Sequence, residues 1–152
     1  DLIAFNEANA DRELSLFGQE TLIAAEARGP LTDPMYLAAR QLAWELSRAQ
    51  GIDARLTQHR LDAVVDLTAG PAWLIDPVHG DQPTGASAAY ALAAIAGYPS
   101  VTVPAGDVRG LPVGLSFVGP AWSDVRLLAL AADFEARTHA RQEPAFVATV
   151  LP

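Results

Sequence analysis

Two neighbouring groups of residues are of types that do chemistry. Asp76, His79 and Asp81 stand close together, and Ser87 follows in the stretch Gly85-Ala86-Ser87-Ala88-Ala89. A serine, an imidazole and a carboxylate are the nucleophile, base and orienting group of a hydrolase in residue type. The serine stretch approaches a nucleophile elbow, but it lacks the closing glycine and no strong strand leads into it. A serine at that place equally caps a helix. Asp76, His79 and Asp81 also offer oxygen and nitrogen donors to a divalent cation, yet a metal site needs a further ligand and supporting hydrogen bonds. The expectation is therefore no metal and residues that face either solvent or a substrate. His59 and His139 form no HExxH pair, and His139 follows a helical stretch whose C-terminal dipole suits an imidazole. Ser15, Ser47, Ser100, Ser116 and Ser123 are the other candidate nucleophiles by residue type, and none stands in a stretch closer to an elbow than Ser87.

Several chemistries are excluded by composition. There is no cysteine, and all ten basic residues are arginine, so thiolate and lysine chemistry are absent from these residues. The net charge of -8 disfavours nucleic-acid backbones and anionic membrane surfaces as partners. The arginines are scattered and make no basic stripe. Gly106, Gly110, Gly114 and Gly119 are spread over strands and turns rather than gathered before a helix, so no phosphate cradle or nucleotide cofactor is expected. No apolar run reaches the ~18 residues that span a bilayer. With 51% hydrophobic and 18% charged residues, the 152-residue chain is expected to fold around a core.

The elements that must position these groups follow from periodicity. Residues 7–27 carry two helical patterns separated by Gly18. Thr32 or Asp33 caps a stronger helix with Pro34 in its first turn, a face of Tyr36, Ala39, Ala43, Leu46 and Ala49, and Gly51 as its stop. Residues 61–67 read as a strand. Three glycines and three prolines from Gly70 to Gly85 make a long loop, of the kind that is often functional. Ser87 opens a small Ala-rich helix that ends at Gly97. Residues 100–104 and 111–118 read as strands joined by a six-residue connection, paired as an antiparallel hairpin. Gly114 implies close approach of another backbone. Ser123 caps a last helix with Leu127, Leu130, Ala131, Phe134 and Thr138 on one face. The expected fold class is α/β, with a mixed sheet flanked by helices.

Three stretches carry a resemblance. They are Phe5-Asn6 with Phe17-Gly18-Gln19-Glu20; residues 61–65 with Thr68 and Gly70-Pro71-Ala72-Trp73; and residues 96–106 followed by Gly110-Leu111-Pro112-Val113-Gly114-Leu115-Ser116-Phe117-Val118-Gly119. Leu127-Leu128 and Phe134-Glu135 continue the pattern. Together they resemble the C-terminal part of the amidase signature family, and Gly70-Pro71-Ala72-Trp73 with Gly80-Asp81 is most similar to bacterial amidases of the peptide-amidase type. The resemblance implies amide hydrolysis or transfer by a serine nucleophile, a second serine in a cis linkage and a lysine base. A neutral lysine relays a proton through the bridging serine and activates the attacking one. A Gly/Ser-rich loop supplies N–H donors to the oxyanion.

None of those residues is present, so no catalytic residue is assigned. The chain is expected to be a single segment, residues 1–152, roughly the last third of an amidase, cut from the part that does the chemistry and inactive alone. By position, Thr68, Trp73 and Asp76 are expected to wall the substrate pocket, followed by Gly85, Ala86 and Ser87. The substrate of the intact enzyme is then a small amide or peptide amide, with no cofactor. A truncated sheet exposes an edge and an apolar face, so the isolated segment is expected to form homo-oligomers. Absence of cysteine and of a leader suggests the cytoplasm. The alternative from another class is a non-enzymatic assembly or small-molecule-binding module.

Overall fold

A computed structural model of the chain describes residues 1–76, 78–80, 89–144 and 146. The helices are α1 (Leu2–Ala8), α2 (Ala10–Glu13), α3 (Glu20–Glu26), α4 (Pro34–Ser47), α5 (Asp53–His59), α6 (Ala89–Ala96) and α7 (Asp124–Thr138). The strands are β1 (Val64–Leu67), β2 (Ser100–Val108) and β3 (Leu111–Val118). The chain divides into two compact units, Asp1–Ala38 with Ile75–Gln82 and Ala39–Leu74 with Pro83–Pro152. No helix among the described residues is long and apolar enough to cross a membrane.

In the first unit, the Asp1 carboxylate caps α1 by accepting from the Ala4 N–H at 3.0 Å. Gln19 is buried and ties the unit together. Its Nε2 donates to the Ile3 carbonyl at 3.3 Å, and its Oε1 accepts from Asn6 Nδ2 at 3.1 Å. The two parts of the first stretch singled out above thus meet through Asn6 and Gln19. No hydrophobic side chain described in this unit is buried.

The second unit holds the core. Its sheet has the order β1-β3-β2 and is antiparallel throughout the described residues, rather than mixed. The α/β class holds. Phe117 and Leu115 of β3 lie on one face with Val103 and Val101 of β2, packed on Leu127 and Ala131 of α7. Phe134 adds an edge-to-face contact with Phe117, ring centroids 5.8 Å apart. Val118 and Val64 lie on the opposite face with Ala93 and Ala96 of α6 and with Ile52 and Leu56. Small side chains on α6 permit that close packing.

Three sequence expectations are corrected. Gly51 does not stop α4. The helix widens into a π-turn at Arg48–Ile52 and continues as α5 to Arg60, which caps it in the left-handed conformation at φ 53°. A Cβ on Gly51 would lie 2.6 Å from the Leu46 carbonyl oxygen, so glycine is what the widened turn requires. The face expected on α4 is also displaced, because Tyr36 and Leu46 are exposed while Ser47 is buried. The hairpin connection is two residues, not six. Arg109 and Gly110 take φ 54° and 78°, the signature of a type I′ turn, and a bulge between Pro104 and Gly106 absorbs the extra residue of β2. Asp33 and Ser123 stand where helix starts were expected. Asp33 Oδ1 accepts from the Met35 N–H at 2.7 Å, whereas the Ser123 hydroxyl donates to the Pro120 carbonyl.

Candidate functional site

Thr68 stands at the end of β1 and belongs to the second unit. Its N–H donates to the Gly114 carbonyl at 2.8 Å, which carries the ladder one residue past the strand. Its side chain emerges on the face that bears Val64 and Asp66, because strand side chains alternate. On that face Asp66, Ser116 and Thr102 share one register row across the three strands. Thr68 Oγ1 lies 2.8 Å from Ser116 Oγ and 3.3 Å from Thr102 Oγ1, and the last two are 3.0 Å apart. Ser116 is fully buried, Thr68 half-buried and Thr102 exposed.

Gly114 makes room for this group. A Cβ there would lie 2.6 Å from Thr102 Cγ2 and 2.9 Å from Thr68 Oγ1. The close approach expected at Gly114 is therefore made by side chains, not by another backbone. Trp73 also belongs to the second unit, on the stretch without regular structure after β1, and is 40% exposed.

Asp76 belongs to the first unit. Its Oδ1 accepts from the N–H groups of Val78 and His79 at 2.9 and 3.0 Å, and its Oδ2 lies 2.9 Å from His79 Nδ1. The His79 N–H, the His79 ring and the Val78 N–H together hold the Asp76 carboxyl below its usual range. The carboxylate fixes the ring so that Nδ1 carries the hydrogen-bonding proton. Asp81, Gly85, Ala86 and Ser87 lie outside the described residues.

The second unit also has a cleft of about 460 Å³ between Arg48, Tyr98, Trp122 and Asp124. Of the expected site residues that are described, Thr68, Trp73 and Asp76, none lines it. Arg48 lies over the Trp44 ring, 4.4 Å from its centroid, and the Tyr98 hydroxyl donates to Asp53 Oδ2 at 2.7 Å. Burial, then the Asp53 hydrogen bond, raises the Tyr98 pKa. Among the described residues, no three histidine, aspartate or glutamate side chains gather as a metal set.

Sequence reasoning named Thr68, Trp73 and Asp76 as candidates and did not name Ser116 and Thr102, whose hydroxyls the structure brings beside Thr68. A signal existed: each is a hydroxyl residue flanked on both sides by apolar residues of its strand, Val101 and Val103 around Thr102 and Leu115 and Phe117 around Ser116.

No protein-family model matches the chain. Known proteins do. It is 35% identical over 150 residues to a probable amidase of Arabidopsis thaliana, covering 97% of this chain and 25% of that protein. It superposes on the native peptide amidase of Stenotrophomonas maltophilia with a TM-score of 0.84 at 51% identity, over 95% of this chain and 28% of that one. A structure of the peptide amidase PAM with the competitive inhibitor chymostatin matches with a TM-score of 0.87 at 50% identity, over 95% of this chain and 29% of that one. The chain belongs to the amidase signature family. It corresponds to a portion of its relatives, spanning about a quarter of the curated amidase it matches.

Proposed function

We propose that this chain is the C-terminal portion of an amidase that hydrolyses the C–N bond of small amides or peptide amides. In that enzyme it supplies scaffold and part of the substrate pocket, while the reacting groups stand on other polypeptide. The observation that carries this reading is the agreement of 95% of the chain, at 51% identity, with 28% of a peptide amidase. Composition supports the division of labour. The family's triad needs a lysine, and the sequence contains none. The first unit supports it too. Phe5, Phe17 and Ile23 are each half or more exposed there, and no described hydrophobic side chain is buried. Such side chains gain free energy from a covering surface.

By position in the family, Thr68 and Trp73 of the second unit are proposed pocket residues of the intact enzyme, as are Asp76 of the first unit and Gly85, Ala86 and Ser87, which lie outside the described residues. Trp73 offers a broad apolar face. The chymostatin complex of the peptide amidase supports a peptide-like occupant. In isolation the chain covers its apolar surfaces by self-association.

The test is to incubate the purified chain with primary amides and C-terminally amidated peptides and to follow ammonia release, with light scattering on the same sample. No release and an assembly larger than a monomer are expected. Turnover that disappears on Ser87→Ala would contradict the reading, because the chain would then carry its own nucleophile.

A further inference from the structure

We infer that Thr68 and Thr102 form a hydrogen-bond-accepting subsite for an amide N–H of the ligand, with buried Ser116 as the residue that positions both hydroxyls. The inference rests on the amidase reading and adds a recognition element to it.

The three oxygens form a triangle with edges of 2.8, 3.0 and 3.3 Å. A hydroxyl has one proton and two lone pairs. Donation from Thr68 to Thr102, from Thr102 to Ser116 and from Ser116 to Thr68 uses all three protons and one lone pair on each oxygen. What remains to face outward is acceptor capacity. Ser116 has no exposed surface, so the accessible acceptors are those of Thr68 and Thr102. Their partner must bring a proton of its own. A carboxamide NH2 or a peptide N–H does so, and an ester oxygen in the same place does not.

Ser116 acts through the other two. It sits on the central strand, in register with Thr102, and reaches both threonines. Gly114, two residues before it on the same face, keeps the space above the strand free of a Cβ that would push Thr68 and Thr102 apart. Pre-arranged acceptors bind without first reorienting, which is where their contribution to selectivity lies.

The experiment uses the whole chain and two probes, 3-phenylpropanamide and methyl 3-phenylpropanoate, of which only the first carries an N–H, with binding followed by NMR chemical-shift titration. One net hydrogen bond corresponds to about a fivefold preference for the amide. Thr68→Val and Ser116→Ala are expected to bring the amide-to-ester ratio to about one, while Thr68→Ser keeps it. A general structural role would weaken both probes alike and leave the ratio unchanged. Should Ser116→Ala lose its folded spectrum, exposed Thr102→Val provides the same comparison. A wild-type chain that binds the two probes equally or binds neither, or variants that keep the preference, would overturn the inference. Failure of the amidase reading shows separately, as a folded hybrid that releases no ammonia when this chain replaces the matching segment of the peptide amidase.

Discussion

Arg48 Nε donates to the Ala96 carbonyl at 2.7 Å, joining the π-turn after α4 to the C-terminal end of α6. The same guanidinium lies over the Trp44 and Tyr98 rings, 4.4 and 5.7 Å from their centroids. A helix C-terminus leaves carbonyls unpaired and carries partial negative charge, so one cation satisfies both needs. Arg48→Ala is expected to destabilise the chain by about 2 kcal/mol, the usual scale for a hydrogen bond from a charged donor. Arg48→Lys should recover less than half, because an ammonium does not stack as the planar group does. Urea unfolding checks both.

The hydroxyl of Tyr98 donates to Asp53 Oδ2 at 2.7 Å, and burial followed by that bond raises its pKa above the usual value of 10.0. The neutral phenol is the form favoured by folding. Its contribution is fully present below about pH 10 and is lost as pH rises through the higher folded value. Tyr98→Phe should cost about 1 kcal/mol at neutral pH and should flatten the alkaline loss of stability. Phenolate absorbance and unfolding measured against pH report the two effects.

For Asp76 the sign is opposite. Its carboxyl is held low, first by the His79 N–H, then by the His79 ring, then by the Val78 N–H. Its contribution is present above the ordinary value of 3.8 and is lost as pH falls through the lower folded value. His79→Ala removes the ring and keeps both backbone donors, so the Asp76 midpoint should rise only part of the way. A carboxyl-carbon NMR titration measures it. Full return to the ordinary value would contradict the ordering of these donors.

Gly114→Ala places a Cβ 2.6 Å from Thr102 Cγ2 and 2.9 Å from Thr68 Oγ1. Overpacking of this kind costs about 1–3 kcal/mol. Thr102→Ser deletes the nearer methyl and should return part of that loss in the double variant. Equal additive losses in thermal unfolding would show that the two side chains do not meet.

Punctuation made some elements legible and hid others. β3 is bounded by Gly110 and Gly119, so its reading from sequence matches Leu111–Val118. Leu127 and Ala131 were legible from helical spacing. Gly51 misled because a glycine that permits a widened turn has the same identity as one that ends a helix. The hairpin turn was missed because Arg109, a residue with no special liking for positive φ, takes the first left-handed place. Thr68, Trp73 and Asp76 were reached through resemblance, since no spacing rule links them. Thr68 gains its partners from Thr102 and Ser116, which only strand register brings beside it.

The most direct test of the account replaces the matching segment of the Stenotrophomonas maltophilia peptide amidase with this chain and measures ammonia release from a C-terminally amidated peptide. The account predicts a folded hybrid that releases ammonia, beside an isolated chain that releases none. A hybrid that folds but stays inert, or an isolated chain that releases ammonia by itself, would contradict it.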